Sequence, residues 1–258
     1  MSRPWDTVPH KLFIFNPDVG GVTVIILGAS GAGKTHLLLH IARRKLYEAQ
    51  EICVWRGMHS AQAWQYFKDI CIHVFRDRKV PVCDERFRKW PKLKRGVLNV
   101  IYAPSAWWRK YLFKLSRRPP LEPMSVFIDE FEAIAPSYAA EETWHVLEKL
   151  SDAIREMRKA WVNLYCATQQ WIDIDYRILS KFMFRVYLPG ARRMRRSPVR
   201  QAYINKLSVG QGIAEEYGAL FKHFEFPPSP RIRDYISWIM GIRTPPPQQL
   251  INTGADRG

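Results

Sequence analysis

The sequence predicts an α/β fold in which a central, mostly parallel sheet is flanked by helices. Short β-branched apolar runs alternate with stretches of helical spacing along the chain. The runs are apolar throughout rather than at every second residue, as strands covered on both faces must be. With 258 residues, 47% of them hydrophobic, the chain has the material for one large core.

Each element can be justified from its residues. "VTVIIL" (22–27), bounded by Gly20-Gly21 and Gly28, reads as a buried strand. "KTHLLLHIARRKLYEAQ" (34–50) has helical spacing, with Leu37, Leu38, Ile41 and Leu46 on one side. "EICVW" is the next strand, and a helix begins at Ser60, a residue suited to N-capping. "ICIHVF" (70–75) and "GVLNVIYA" (96–103) are further strands. Between them, residues 76–95 hold nine basic and three acidic side chains with prolines, which predicts an exposed basic insertion. "SAWWRKYLFKLSRR" (105–118) is aromatic, basic and helical, and Pro119, Pro120 and Pro123 stop the helix from continuing. "MSVFIDE" (124–130) is a strand ending in two carboxylates, with a long helix after it over roughly 139–160. "VNLYCATQQ" and "FMFRVYLP" (182–189) are the next strands, and 212–226 reads as a β-hairpin turning near Gly218. This divides the chain into a domain over 1–226 and a proline-rich tail over 227–258 with one short helix at 231–242. There is no internal repeat.

Composition excludes several classes. No apolar run reaches the ~20 residues of a membrane helix, and "MSRPWDTVPHKLF" lacks the apolar stretch of a signal peptide. Cys53 and Cys166 sit in strand-like runs and read as buried, reduced thiols. Cys71, His73 and Cys83 match no common zinc spacing and lack a fourth ligand, so no metal is expected there. Forty Lys and Arg against 24 Asp and Glu give a formal charge of +16, which points to a polyanionic partner, nucleic acid before membrane.

The chemistry lies in three short stretches. Gly28-Ala-Ser30-Gly31-Ala32-Gly33-Lys34-Thr35 fits G-x-x-x-x-G-K-[ST] in full, with a strand before it and a helix after it. Small residues let the backbone wrap a phosphate at a helix N-terminus. Lys34 is expected to reach the β and γ phosphates, and Thr35 to offer its hydroxyl to Mg²⁺. In "VFIDE", Asp129 is the metal-side carboxylate and Glu130 is placed to deprotonate an attacking water. Kinases of small molecules usually lack the second acid, so the pair argues for hydrolysis of ATP. In "YCATQQ", Gln169 at a strand tip is placed to sense the γ-phosphate or to hold the water, because parallel strands open on their ligands at their C-terminal ends. Together these three stretches resemble those of a P-loop NTPase of the RecA/ASCE-like kind, and that fold is expected here.

Their order resembles the FtsK–HerA superfamily of DNA-pumping ATPases. The likeness is carried by "GASGAGKT", "VFIDE" and "MRKAWVNLYCATQQWIDIDYRI" and spans roughly residues 20 to 226. Arg158 falls where that family carries an arginine before the sensor strand, and Trp161 replaces a small residue usual there. The resemblance implies a ring, usually a hexamer, in which a neighbour's arginine completes each ATP site. Arg158 is the first candidate for that arginine and Arg155 the second, with Arg185 and Arg192 also open. The short form without membrane helices is similar to the genome-packaging ATPases of tailless internal-membrane viruses. That implies sequence-nonspecific double-stranded DNA, a capsid or membrane-vertex protein as partner, and work in the host cytoplasm or at a virion vertex. Filamentous-phage-assembly (Zot-like) and plasmid or conjugation ATPases are the near alternatives. An AAA+-type helicase loader and a small-molecule kinase are more distant ones.

Three basic segments are candidates for DNA contact. "GARRMRRSPVR" (190–200) places Arg192, Arg193, Arg195, Arg196 and Arg200 on a loop after a strand, where they can grip phosphates without reading bases. The 76–95 insertion is the second. In the third, 105–118, packing of Trp107, Trp108, Tyr111 and Phe113 against the sheet is favoured over stacking on bases.

Overall fold

The structure is a computed structural model and describes residues 7–9, 12, 20–57, 70–74, 92–118, 120–138, 141–216 and 221–226. The expected helix from Ser60, most of the basic insertion, the turn near Gly218 and the tail helix at 231–242 lie outside the described residues.

Among the described residues, nine strands form one sheet. They are β1 (Thr23–Leu27), β2 (Ile52–Gly57), β3 (Ile70–Val74), β4 (Leu98–Tyr102), β5 (Met124–Ile128), β6 (Val162–Thr168), β7 (Phe184–Tyr187), β8 (Gln211–Glu216) and β9 (Phe221–Glu225). Their order is β3-β4-β2-β5-β6-β1-β7-β8-β9. The first seven in that order run parallel, and β8 and β9 add an antiparallel hairpin beside β7. The helices are α1 (Lys34–Arg43), α2 (Ser105–Arg117), α3 (Glu141–Met157) and two single turns, α4 (Tyr176–Leu179) and α5 (Gln201–Ile204).

The apolar runs form strands because both sheet faces are covered. Val24 and Ile26 of β1 point to the α1 side, where they meet Leu37, Leu38 and Ile41. Ile25 and Leu27 point to the other side, toward Leu112 of α2 and Leu147, Leu150 and Ile154 of α3. On the α1 face, Trp55, Phe127 and Tyr165 stack across β2, β5 and β6 with ring centroids 5.7 and 5.0 Å apart. On the other face Trp108 and Tyr111 are buried, and Trp107 stacks on Tyr111. Trp108 and Tyr111 belong to the core, Trp107 packs half-buried against it, and Phe113 is half-buried. Cys53 and Cys166 are free and buried.

The helix over 34–50 departs from regular spacing. It is α-helical to Arg43 and then widens into a π-turn over Arg44–Glu48. The widening falls where Lys45 is drawn fully inside to meet Glu51 at 2.8 Å. The second oxygen of Glu51 accepts from Ser125 Oγ and, at 2.9 Å, from Asn163 Nδ2, while Asn163 Oδ1 takes the Val22 amide. One buried polar network therefore ties α1, β5, β6 and the entry to β1 together at the edge of the sheet away from the phosphate loop.

Candidate active site

The strand order decides which side chains meet. All parallel strands end on one edge, and β6 lies between β1 and β5. The phosphate loop after β1, Asp129 and Glu130 after β5, and Gln169 after β6 are thereby brought to one place. They line a cleft of about 350 Å³. Ser30, Gly31, Gly33, Lys34, Thr35 and His36 form one wall, Asp129, Glu130 and Glu132 a second, Thr168 and Gln169 a third, and Val209 stands at the rim.

Gly33 has φ 91°, a left-handed backbone that favours glycine, and caps α1 with no side chain over its first amides. Lys34 Nζ donates to the main-chain oxygens of Gly28 and Ala29 at 2.9 and 2.8 Å, so the ammonium is held inside the loop's curve. Burial lowers the Lys34 pKa, against the pull of Asp129, Glu132 and Glu130. Thr35 Oγ1 donates to Asp129 Oδ2 at 2.5 Å, which places a hydroxyl and a carboxylate oxygen side by side. Two hard oxygen donors beside a phosphate cradle fit Mg²⁺, which uses one or two protein oxygens and takes the rest from phosphates and water. Gly28 and Ala32 are buried beneath the cradle rather than lining it.

Glu130 is exposed and adopts a left-handed backbone, φ 51° and ψ 55°. Its amide donates to Asp129 Oδ1 at 3.0 Å. The two adjacent carboxylates thus leave β5 in different roles, Asp129 tied to Thr35 and its own chain, Glu130 open to water. Glu132, two residues on, is half-buried, and burial raises its carboxyl pKa. Gln169 is exposed at the tip of β6.

The arginine segment 190–200 begins at the same edge. It alternates: Ala191, Met194, Ser197 and Val199 are buried, while Arg192, Arg193, Arg195, Arg196 and Arg200 are all exposed. Its start is clamped to the phosphate loop. Ala29 N donates to Pro189 O at 3.0 Å, and Gly190, at φ 73°, lies so close that an added Cβ would stand 2.6 Å from Ala29 Cβ. Its middle is anchored by Glu215 of β8. That carboxylate is fully buried, accepts from Ser197 Oγ, and pairs with Arg185 at 2.8 Å. We expect Gly190→Val, which adds both strain and a clash here, to cost about 1–3 kcal/mol, read as a lower midpoint in urea.

Two expectations are corrected or relocated. Arg185 is buried and ion-paired to Glu215, so it is not available to complete a neighbour's site. Arg158 is exposed, but it lies before β6 at the opposite edge of the sheet, where its carbonyl takes the Gly21 amide at 2.7 Å. The structure does not bring it to the cleft of its own chain. Arg155 is exposed on α3 beside Asp152 and Glu156. Cys83 lies outside the described residues, and among those described there is no cluster of metal-ligating side chains. No described helix is long and apolar enough to cross a membrane.

Sequence reasoning missed Arg56, Glu132, His36 and Val209. Glu132 had a signal, as the third acid in "IDEFE", and Arg56 had one as a charge inside an apolar strand run. His36 and Val209 had none.

No protein-family model matches this chain, and no curated protein matches it in sequence. Solved structures do match in fold. The genome-packaging NTPase B204 from Sulfolobus turreted icosahedral virus 2, in complex with sulfate, is 13% identical with a TM-score of 0.54, covering 83% of this chain and 99% of that one. The same protein in complex with AMPPCP is 12% identical with a TM-score of 0.54, covering 83% and 100%. The bacterial conjugative coupling protein TrwBdeltaN70 is 12% identical with a TM-score of 0.54, covering 88% and 89%. The fold is therefore that of a P-loop NTPase: a mostly parallel sheet, open at its edges, with helices on both faces.

Proposed function

We propose that this chain is an ATPase of the FtsK–HerA kind that couples ATP hydrolysis to the movement of double-stranded DNA, and that its cargo is a viral genome. The observation that carries the reading is the convergence of Lys34, Thr35, Asp129, Glu130 and Gln169 on one cleft, with an arginine arch springing from the same sheet edge. The main-chain amides of 28–33 and the Lys34 ammonium bind the β and γ phosphates of ATP. Thr35 and Asp129 would hold Mg²⁺, which neutralises phosphate charge as it develops. Glu130 takes the proton from the attacking water, and Gln169 orients that water against the γ-phosphate. Arg192, Arg193, Arg195, Arg196 and Arg200 grip DNA phosphates without regard to sequence.

Glu130 and Gln169 are exposed where they line the cleft, which suits a ring of subunits, a hexamer in our reading, with Arg158 of one copy reaching the site of the next. The likeness in fold to a genome-packaging NTPase and, at the same TM-score, to a conjugative coupling protein supports a DNA-moving ATPase; the viral cargo is the reading adopted here. A capsid or vertex protein is then the docking partner, in the host cytoplasm or at the virion. Purified protein should hydrolyse ATP faster when double-stranded DNA is added. ATP turnover indifferent to DNA, with transfer of phosphate to a small molecule, would instead indicate a kinase.

The arch makes a quantitative prediction. Converting Arg192 and Arg193 to Gln should weaken DNA binding equally across sequences and reduce the slope of log K against log salt by about 2. Fluorescence anisotropy over a salt series reads both effects.

A further inference from the structure

Arg56 is an unusual residue in its place. It stands in β2 within "ICVWRG", one strand away from β5, and only 8% of its surface is exposed. A buried arginine carries a desolvation cost and needs strong acceptors. Its acceptors here are main-chain oxygens rather than the nearby carboxylates. Nη1 donates to the carbonyls of Asp129 and Glu130 at 3.1 and 3.0 Å, and Nη2 reaches Ser105 Oγ at 3.4 Å. These two carbonyls belong to the residues whose side chains divide the chemistry of the cleft.

Glu130 explains why such a clamp is needed. Its left-handed backbone costs a non-glycine residue ~1–2 kcal/mol and persists only where its surroundings hold it. The turn after it gives one further tie, Ala133 N to Glu130 O at 3.1 Å. Bonds from an ionised donor are roughly twice as strong as neutral ones. A single guanidinium that binds both carbonyls fixes the two peptide units on either side of the Glu130 Cα, and with them the direction in which the Glu130 side chain leaves the strand. Without it, Glu130 can relax to a right-handed backbone and swing its carboxylate away from the Gln169 side.

We propose that Arg56 is a positioning residue that locks the Asp129-Glu130 backbone so that one carboxylate faces Thr35 and the other faces the hydrolytic water. The proposal rests on the reading of Glu130 as the water-activating base. Lysine at 56 keeps the charge but not the planar fork. Displacing a catalytic group by ~1 Å costs on the order of 10²-fold in rate. Arg56→Lys and Arg56→Gln should therefore lower kcat about 10-fold and about 100-fold, while KM and the Kd for a non-hydrolysable ATP analogue stay within about twofold. In a Glu130→Gln background, Arg56→Lys should cause no further loss in single-turnover rate, because the group it positions has gone.

The test is steady-state and single-turnover ATP hydrolysis by wild type, both single variants and the double variant, with a thermal melt of each. Wild type without ATPase activity would sink the reading of Glu130, whatever Arg56 does. Active wild type with unchanged kcat in a folded Arg56→Lys would overturn the inference alone. So would a fall in nucleotide affinity at unchanged kcat, a full additional loss in the Glu130→Gln background, or failure of both single variants to give a cooperative melt. The last result would make Arg56 a residue of the fold.

Discussion

Glu130→Gln is expected to lower ATP turnover by about 10²–10⁴-fold while leaving nucleotide affinity within a few-fold of wild type. The amide keeps the size and shape of the carboxylate but cannot accept a proton at neutral pH. Glu130 is exposed at the cleft wall and ties to its neighbours through its backbone, so the change leaves the strand and the phosphate loop alone. In the proposed mechanism phosphate binding falls to Lys34 and the loop amides, on a different wall. Isothermal titration with a non-hydrolysable analogue and a phosphate-release assay separate the two quantities. Intact turnover in the variant would remove Glu130 from the mechanism.

The second large effect is on stability. Glu51→Ala should destabilise the fold by about 3–5 kcal/mol, measured by urea denaturation. The substitution leaves the Lys45 ammonium buried without its partner, and burial already lowers the pKa of that group. It also strips an acceptor from Ser125 and Asn163 in the two strands that carry the proposed catalytic residues at their other ends. A hydrophobic pair at 45 and 51 would avoid the cost, since truncating one partner of a buried ion pair is what is expensive. A loss below about 1 kcal/mol would mean that Lys45 escapes to water when Glu51 is gone.

Much of this architecture was legible because parallel strands buried on both faces have to be apolar throughout. β1, β5 and β6 stand out for that reason, β1 followed at once by the glycine-rich loop and β5 and β6 by polar residues. The phosphate loop was legible because its glycines and its Lys-Thr pair have few other uses in that spacing. Strand order was not: nothing local in "VNLYCAT" says that it inserts between "TVIIL" and "MSVFI", yet that insertion is what sets Gln169 between the phosphate loop and Asp129. Arg185 misled for a related reason. Its partner Glu215 lies 30 residues on, in the antiparallel hairpin, and only the β7–β8 pairing reveals that the charge is buried and answered. Arg56 stood out as a charge in an apolar run, but its partners are carbonyls, which leave no mark in a sequence, so its place beside Asp129 and Glu130 was not legible.

The arch of 190–200 shows what composition can and cannot say. Five arginines in eleven residues announce a basic surface. That the arch is fastened to Ala29 at one end and to Glu215 in its middle is a fact of packing. Fastening of this kind gives the proposed phosphate loop and the proposed DNA-gripping arginines a shared backbone, which a mobile basic tail would lack.

The most direct measurement is a crystal structure of the protein with Mg²⁺ and a non-hydrolysable ATP analogue. The account predicts the γ-phosphate beside Lys34 Nζ, the metal at Thr35 and Asp129, and Glu130 and Gln169 flanking the point of attack. A nucleotide bound elsewhere on the molecule, or one whose γ-phosphate lies out of reach of both Glu130 and Gln169, would contradict it.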